Sequence, residues 1–518
     1  MRRSACLAVL AACLLGSATV TLEGRVKLED NRLYVDGKPF FPYGCWGCIE
    51  SVESMKQHHF NCVFSGMDGT ADLLEEAAEE DFFVITYPYA PRWGMQHEEH
   101  ILAVRDHPNL LAWNIGDDLK ATDVEKVRHA YEYIRQHDPY HRPVMLDVIH
   151  GWEKYTWFEQ MFCAYTYPLV KRPTLLEYQQ FLRDRHAIVG ADKFLWTWAQ
   201  AHVQDWYTAM YLGPEASLPR SLYPDGTEMR LVVYSALAAG CRGILYFPSP
   251  FFTEDFHGVD RYAEAALIGV ELKVIGPWLA EGVVGKHLWT SEPTLHAWPV
   301  DFPGGTLVLL MHIDDETQYH VGAARAEGTV MLPRRSRAGE HVYELSLGDG
   351  AREITSRVRD GKCGVSFQMT DLLLITDDQA LAREADAKLG RLLADSARYA
   401  AQAAGAKRRK VQRVLAALHR TRYPDAEALS ASVRSAGALI HDANELIARA
   451  EFAAAFRSAR GADRVLREAV RDHWRRMNAD PFVREMMVLP NFYLAEGYYP
   501  MVRAMTEAEP SGNLLPNG

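Results

Sequence analysis

The feature that most constrains the fold is an alternation that runs from about Arg32 to Leu279. Short apolar, β-branched or aromatic runs are followed there by amphipathic stretches, which is the pattern of βα units and a parallel sheet. Eight strands are predicted, at Phe40–Trp46, Asn61–Ser65, Phe82–Tyr87, Leu110–Ile115, Pro143–Val148, Met161–Tyr165, Phe194–Trp198 and Gly243–Phe247. Eight such units in about 240 residues predict a (β/α)8 barrel. A doubly wound sheet is the alternative, but no Gly-rich phosphate turn follows the first strand.

Other segments flank this alternation. Residues 31–39 read as a hairpin with an Asp36-Gly37 turn, so the barrel domain is predicted over 24–280. Short strands separated by Gly, Pro and Asp then predict a small antiparallel, β-sandwich-like domain over 283–377. From Asp378 the chain is rich in Ala, Leu and Arg with helical periodicity, which predicts a helical bundle over 378–506.

Residues 407–410 form a basic run, Lys-Arg-Arg-Lys, inside the first of the helices that this bundle is predicted to contain. A charge run on a helix is usually a solvated face. The sequence interpretation is therefore that these four residues lie on the surface and have no functional role.

The overall charge limits the class of partner. The chain has 518 residues and a formal net charge of -12. Nucleic-acid binding needs a basic surface, so nucleic acid is not expected as a partner. No segment is apolar for long enough to be a membrane span.

The first 18 residues predict export. Arg2 and Arg3 precede an apolar run and the small residues Gly16-Ser17-Ala18, which is the pattern of a secretory signal peptide. The sequence Leu10-Ala11-Ala12-Cys13 is also similar to a lipoprotein lipobox, in which Cys13 would be lipidated. The expected location is therefore periplasmic or extracellular, with an outer-membrane lipoprotein as the alternative.

Six cysteines follow the signal segment. Cys45 and Cys48 have CxxC spacing, but no second CxxC completes a zinc site and the pair lies at a strand end rather than a helix start. The others lie mostly in apolar runs. Buried free thiols are expected.

In (β/α)8 barrels, function lies at the C-terminal ends of the strands. The predicted strands end in aromatic residues interspersed with acids, a set that suits a sugar, because ring faces stack on C–H faces and carboxylates hold hydroxyls. The candidate substrate-binding residues are Tyr43, Trp46, Tyr87, Arg92, Tyr165, Trp198, Gln200, His202 and Tyr246, and the candidate catalytic acids are Asp117, Asp118 and Asp147.

The segment from His107 to Asp118, HPNLLAWNIGDD, carries a specific resemblance. It is similar to the fourth barrel strand of the clan A glycoside hydrolases, such as families two, five and forty-two. Those enzymes have a His-Pro, an apolar strand with a Trp, and then Gly-Asn-Glu, whose Glu is the acid/base. The resemblance implies that Asp117 stands at the family's Asn and Asp118 at its acid/base.

The seventh strand departs from that pattern. The same families have a nucleophilic Glu there, whereas this chain has Gln200, and an amide cannot act as that nucleophile. Three alternatives stay open: Asp147 completes an inverting pair with Asp118, another residue supplies the nucleophile, or the barrel binds sugar without cleaving it.

A shared cation at Asp117 and Asp118 would require the chain to turn there, because neighbouring strand residues point to opposite faces. No metal and no cofactor are therefore expected. The function expected from sequence is hydrolysis of a glycosidic bond in an extracellular or periplasmic glycan, with Asp118 as general acid. The alternative is a catalytically inactive carbohydrate-binding barrel protein.

Overall fold

The structure is a computed structural model that describes residues 24–169, 174–203, 223–247, 252–253, 258–313, 325–333, 339–420 and 426–479. The predicted signal peptide, its Cys13 and residues 480–506 of the predicted bundle lie outside these ranges.

Eight parallel strands form a closed barrel in chain order, as the alternation predicts. Each strand pairs with its neighbours in sequence, and the last pairs with the first. Their bounds are β4 Tyr43–Trp46, β5 Cys62–Ser65, β6 Phe83–Thr86, β7 Leu110–Leu119, β8 Val144–Val148, β9 Met161–Cys163, β10 Phe194–Gln200 and β11 Ile244–Phe247. The fold class predicted from sequence is confirmed.

Both faces of the barrel strands are buried. The interior is filled by side chains such as Phe64, Leu111, Met145 and Trp196, while the alternate residues pack outward on the surrounding helices. These helices are α1 Val52–Gln57, α2 Thr70–Glu79, α3 Met95–Val104, α4 Val124–His137, α5 Leu175–Val189, α6 Gly226–Ala239 and α7 Val259–Glu281.

A three-stranded sheet closes the N-terminal end of the barrel. It consists of β1 Val26–Glu29, β2 Arg32–Val35 and β3 Lys38–Pro39. The predicted turn has positive φ at both central residues, 50° at Asp36 and 73° at Gly37, as a tight hairpin requires. Val26, Leu33 and Val35 join the interior core, which explains why this hairpin belongs with the barrel.

Two antiparallel sheets follow the barrel. The larger has the order β12-β13-β14-β20-β16-β17, with strands Val283–Val284, Leu295–Phe302, Gly305–His312, Thr370–Thr376, His341–Ser346 and Gly350–Glu353. The smaller has the order β15-β19-β18, with strands Ala326–Met331, Lys362–Phe367 and Val358–Arg359. One apolar core, including Leu310, Val330 and Phe367, lies between the sheets. The other face of the larger sheet packs toward the barrel through residues such as Trp298 and Leu309.

Three long helices complete the described chain: α8 Gln379–Arg420, α9 Ala426–Ala448 and α10 Phe452–Ala479. They pack on one another, and α8 also packs along α7 of the barrel. α7, between α8 and the rest of the barrel, is buried over most of its length, and α6, which packs on α5, α7 and strand β14, is buried over its whole length.

The interpretation of the basic run as a solvated face is wrong for two of its four residues. Lys407 and Lys410 are buried, while Arg408 is half-buried and Arg409 is exposed. Residues three apart share a helix face, and this face of α8 lies against the barrel. Lys407 pairs with Asp463, and Lys410 pairs with Asp260.

All six cysteines of the described residues are free, as predicted, and five of them are buried while Cys48 is half-buried. Burial raises the pKa of the Cys48 thiol to about 11, which makes it a poor nucleophile. No helix within the described ranges is long and apolar enough to cross a membrane.

Candidate active site

The end of β7 brings two acids to the C-terminal rim of the barrel. The register between β7 and β8 shifts after Asn114 and again after Gly116, and Asp118 has a left-handed φ of 54°. Asx residues tolerate this conformation better than most. The chain therefore turns where a regular strand would point Asp117 and Asp118 to opposite faces, and both carboxylates reach the same place.

Asp147, at the end of β8, completes a group of three acids. One oxygen from each of Asp117, Asp118 and Asp147 lies within 4.8 Å of the others. Asp147 is fully buried, Asp117 is half-buried and Asp118 is exposed. The three candidate catalytic acids are therefore brought together, with Asp147 beneath and Asp118 nearest to solvent.

Asp147 and Asp118 each accept a hydrogen bond from an aromatic side chain. The Trp198 indole Nε1 donates to Asp147 Oδ2 over 2.9 Å, and the Tyr165 hydroxyl donates to Asp118 Oδ1 over 2.6 Å. These contacts place two of the candidate substrate-binding residues, Tyr165 and Trp198, in direct contact with the acids.

Burial raises the pKa of two of the three acids. Burial, followed by the charge of Asp118, raises the pKa of Asp117 to about 6, although a hydrogen bond with Asp147 acts in the opposite direction. Burial, then the charges of Asp117 and Asp118, also raises the pKa of Asp147 well above its ordinary value.

Aromatic rings line the rim beside the acids. The Trp46 ring centroid lies 5.3 Å from that of Tyr87, 5.8 Å from that of Phe247 and 6.3 Å from that of Trp198. Tyr87 also contacts Tyr89, with centroids 5.3 Å apart. Phe247 remains 37% exposed, so this aromatic cluster presents a ring face that a sugar could reach.

Tyr43 and Tyr246 are not part of this surface, which corrects their expected place at the cleft. The two hydroxyl oxygens lie 3.1 Å apart, and the Tyr43 hydroxyl also donates to the Ala265 carbonyl of α7. Both residues are at most 1% exposed. Strand residues alternate between faces, so Trp46 and Phe247 point into the barrel while Tyr43 and Tyr246 point out.

Gln200 lies at the end of β10, but its amide is engaged by the backbone. Its Oε1 accepts from Leu169 N over 2.8 Å, and its Nε2 donates to the carbonyls of Leu169 and His202 over 3.1 and 3.0 Å. At 1% exposure it holds together the segments that follow β9 and β10. In the structure Gln200 therefore makes hydrogen bonds with the backbone, whereas the sequence analysis expected it to contact the substrate.

His202 and Arg92 are separated from the acids by other groups. His202 is buried against Tyr167 and Phe247, and burial together with the charge of Arg261 lowers its pKa to about 4. Arg92 is exposed, and its guanidinium carbon lies 6.0 Å from the Tyr89 ring centroid.

Two residues of the site, Phe247 and Tyr89, are absent from the set proposed from sequence. In the first barrel strand, Gly44 and Trp46 share the inward face because side chains alternate along a strand. The same alternation on the neighbouring strand β11 places Phe247 on that face. Tyr89 follows β6 outside the strand itself, and no periodicity identifies it.

The three acids also have the chemistry of a hard-cation site, because Ca²⁺ and Mg²⁺ prefer carboxylate oxygens. The turn at Asp118 removes the geometric objection raised from sequence.

No family model matches the chain, and no curated protein matches it either. Solved structures with similar folds include a glycoside hydrolase at 13% identity, with a TM-score of 0.49 over 69% of this chain and 97% of the other. A family 5 glycoside hydrolase from Bacteroides vulgatus matches at 13% identity, with a TM-score of 0.45 over 69% and 95%. A family 30 xylanase from Clostridium acetobutylicum matches at 7% identity, with a TM-score of 0.40 over 65% and 96%. Likeness this low carries no argument about activity, and the fold assignment rests on the strand pairing itself.

Proposed function

We propose that this protein hydrolyses a glycosidic bond of a glycan bound across the C-terminal rim of the barrel. The observation that carries the proposal is the group of three acids, with one pKa raised to about 6, beside aromatic rings. A carboxylic acid that keeps its proton near neutral pH is what glycoside hydrolysis needs from its general acid.

Asp117 is the proton donor in this proposal, in place of the Asp118 that the sequence suggests. Asp117 is half-buried, with its pKa raised to about 6, while Asp118 is exposed and accepts from Tyr165. Asp117 would give its proton to the leaving oxygen as the C–O bond breaks. Water would then add to the anomeric carbon, and its proton would return to the Asp117 carboxylate. The charge of Asp118 would stabilise the positive charge that develops on the sugar.

Asp147 and Asp118 are not suited to act as an inverting pair. Inversion needs carboxyl groups about 6.5–9.5 Å apart, with a water between them. Oxygens of the three acids lie within 4.8 Å. Asp147 is also fully buried, so we assign it the role of sharing a proton with Asp117.

The test is a comparison of variants on a panel of polysaccharides and aryl-glycosides, with products separated by anion-exchange chromatography. We expect Asp117→Asn to abolish turnover while retaining the fold. The matched control is Asp106→Asn, whose side chain is 71% exposed and precedes β7. Full activity in Asp117→Asn would overturn the assignment of the proton donor.

A second function, glycan binding without cleavage, is favoured by one observation. Gln200, which the resemblance to the clan A enzymes implies at the nucleophile position, is an amide whose hydrogen bonds go to the backbone. If the protein binds without cleaving, the wild type should migrate more slowly in native gels that contain the polysaccharide and should release no product. Asp117→Asn should leave that retardation unchanged.

We also propose that the protein is exported, on the strength of the signal pattern in residues 1–18. Mass spectrometry of the mature N-terminus tests this. Cleavage near residue 18 would support soluble export, a lipid on Cys13 would support a lipoprotein, and an intact N-terminus in the producing cell would refute both.

A further inference from the structure

The C-terminal helices reach the barrel through buried ion pairs. Lys410 Nζ of α8 lies 2.5 Å from Asp260 Oδ1 at the start of α7, and their side chains are 2% and 1% exposed. Lys407 Nζ lies 2.7 Å from Asp463 Oδ1 of α10 and 3.4 Å from Asp225 Oδ2. Asp225 is the N-cap of α6, so α8 contacts the N-terminal ends of both barrel helices.

Such pairs are poor stabilisers in themselves. Burying two charges carries a desolvation cost that well-packed apolar residues would avoid, so a buried pair is weak evidence for stability. A buried pair does fix the relative position of the two helices that carry it, because the two charges compensate each other only when they are in contact. Lys410 therefore fixes where α7 begins relative to α8.

The start of α7 is in turn bonded to the cleft wall. Arg261, which follows Asp260, is fully buried. Its guanidinium donates to the Ala201 carbonyl and lies 4.9 Å from the Tyr223 ring centroid. Ala201 directly follows Gln200 at the end of β10, so a backbone carbonyl of the cleft wall is held by a residue adjacent to the buried pair.

The same wall carries part of the aromatic cluster. Next to Ala201 lies His202, whose ring centroid is 5.7 Å from that of Phe247, and Phe247 contacts Trp46 and Trp198. A displacement of the 200–202 segment would therefore move Phe247 relative to the acids.

We propose that Lys410 is a positioning residue for the cleft: through Asp260 and Arg261 it holds the segment 200–202, and with it the aromatic wall that faces the three acids. The helical region would then contribute to the barrel's site without touching its ligand. The effect on the segment stands on geometry alone, whereas any effect on substrate rests on the proposed function.

Hydrogen exchange with mass spectrometry on the full chain tests the first part. In Lys410→Met, we expect amides of 199–203 to exchange at least about ten-fold faster, because the opening free energy of that segment falls. Amides of β6, which lies across the barrel from β10, should keep their protection. The matched control is Lys407→Met, which removes a buried lysine from the same face but does not touch Asp260. It should loosen the start of α6, whose Gly226 N donates to Asp260, and raise exchange in 199–203 less than Lys410→Met does.

A second variant covers the case in which Lys410→Met fails to fold. In Lys410→Met with Asp260→Asn no unpaired charge remains, and the Asn can still accept from Gly226 N as Asp260 does over 3.2 Å. Faster exchange confined to 199–203 in this double variant supports the proposal. Unchanged exchange there, or an equal rise in β6, would overturn it.

The effect of Lys410 on substrate binding is measured by steady-state kinetics on the best substrate of the wild type. Lys410→Met should raise KM about five-fold with kcat little changed, the pattern of lost uniform binding, and Lys410→Arg should restore it. If no substrate is cleaved, the proposed hydrolysis fails, but the exchange result still decides whether Lys410 positions the wall.

Discussion

The two sides of the barrel rim are built differently. On the β7 and β8 side the strands end in acids, and the neighbouring helix α4 is amphipathic, with an exposed polar face. On the β10 and β11 side the strands end in Gln200 and Phe247, and the neighbouring helices α6 and α7 are almost wholly buried. The β7 and β8 side carries the groups that can transfer a proton. The β10 and β11 side is held in place by buried helices that pack against the sheets and helices that follow the barrel. The contrast suggests that chemistry and architecture have been assigned to two different parts of one rim.

The largest effect should come from the acid side. Asp117→Asn removes the proposed general acid, whose contribution is typically about 10²–10⁴-fold. Asp118→Asn should cost less, since it removes a charge but no proton. Initial rates on one substrate give both values. A larger loss in Asp118→Asn would return the role of acid to Asp118, as the resemblance to the clan A enzymes implies.

On the β10 and β11 side the largest effect should be on stability. Lys410→Met leaves Asp260 buried without its partner, and breaking a buried pair in this way costs about 3–5 kcal/mol. The exposed pair of Arg434 and Glu427, with side chains 67% and 78% exposed, provides the comparison. Arg434→Met should change the free energy of unfolding by less than about 1 kcal/mol. Urea titration measures both, and similar values would show that the two kinds of pair do not differ as we infer.

The pH dependence of stability should originate on the acid side. Because the folded pKa of Asp117 is raised from 3.8 to about 6, the folded state holds this proton more tightly than the unfolded chain does. The stabilisation is present below about pH 4 and is lost as pH rises to about 6, by up to about 3 kcal/mol at 1.36 kcal/mol per unit. The melting temperature should fall over this range in the wild type and fall less in Asp117→Asn. Parallel curves would indicate that Asp117 is not the group that titrates.

A smaller effect is expected from Gln200→Glu, which places a carboxylic residue where the resemblance to the clan A enzymes would imply a nucleophile. The new oxygen would face the carbonyls of Leu169 and His202, where Nε2 now donates. We expect a loss of about 1–3 kcal/mol for the acceptors left without a donor and no gain in turnover. A faster enzyme would show that this side is capable of catalysis after all.

The smallest effect should follow Tyr246→Phe. The lost hydroxyl lies 3.1 Å from that of Tyr43 on the outer face, so stability should fall by about 1 kcal/mol and turnover should not change. Phe247→Ala, one residue along, is the contrast: it removes a ring from the cleft and should weaken glycan binding. Equal effects of the two on binding would mean that the alternation does not separate the two faces as described.

The barrel could be predicted from sequence because apolar runs that alternate with amphipathic stretches have few other ways to bury their surfaces. The grouping of Asp117 with Asp147 also follows, since neighbouring parallel strands end at one rim. The inclusion of Asp118 does not, because it depends on a left-handed residue that no local pattern predicts. Tyr246 was misplaced because the aromatic residues were chosen by type and not by the alternation of faces.

The basic run shows a different limit. Nothing local distinguishes Lys407 and Lys410 from the exposed Arg409, because the burial of a helix face depends on what packs against it. The acids that pair with the two lysines, Asp225, Asp260 and Asp463, belong to three separate elements that lie far from the lysines along the chain. Local patterns contain no information about such partners.

The burial of α6 has a consequence for modularity. All residues from Gly226 to Ala239 are buried, so no face of this helix is in contact with solvent. A barrel excised at residue 282 would present this surface to solvent and would be prone to self-association. The unit that can be inherited, transferred to a fusion or recombined is therefore the barrel with its sheets and helices, and not the barrel alone.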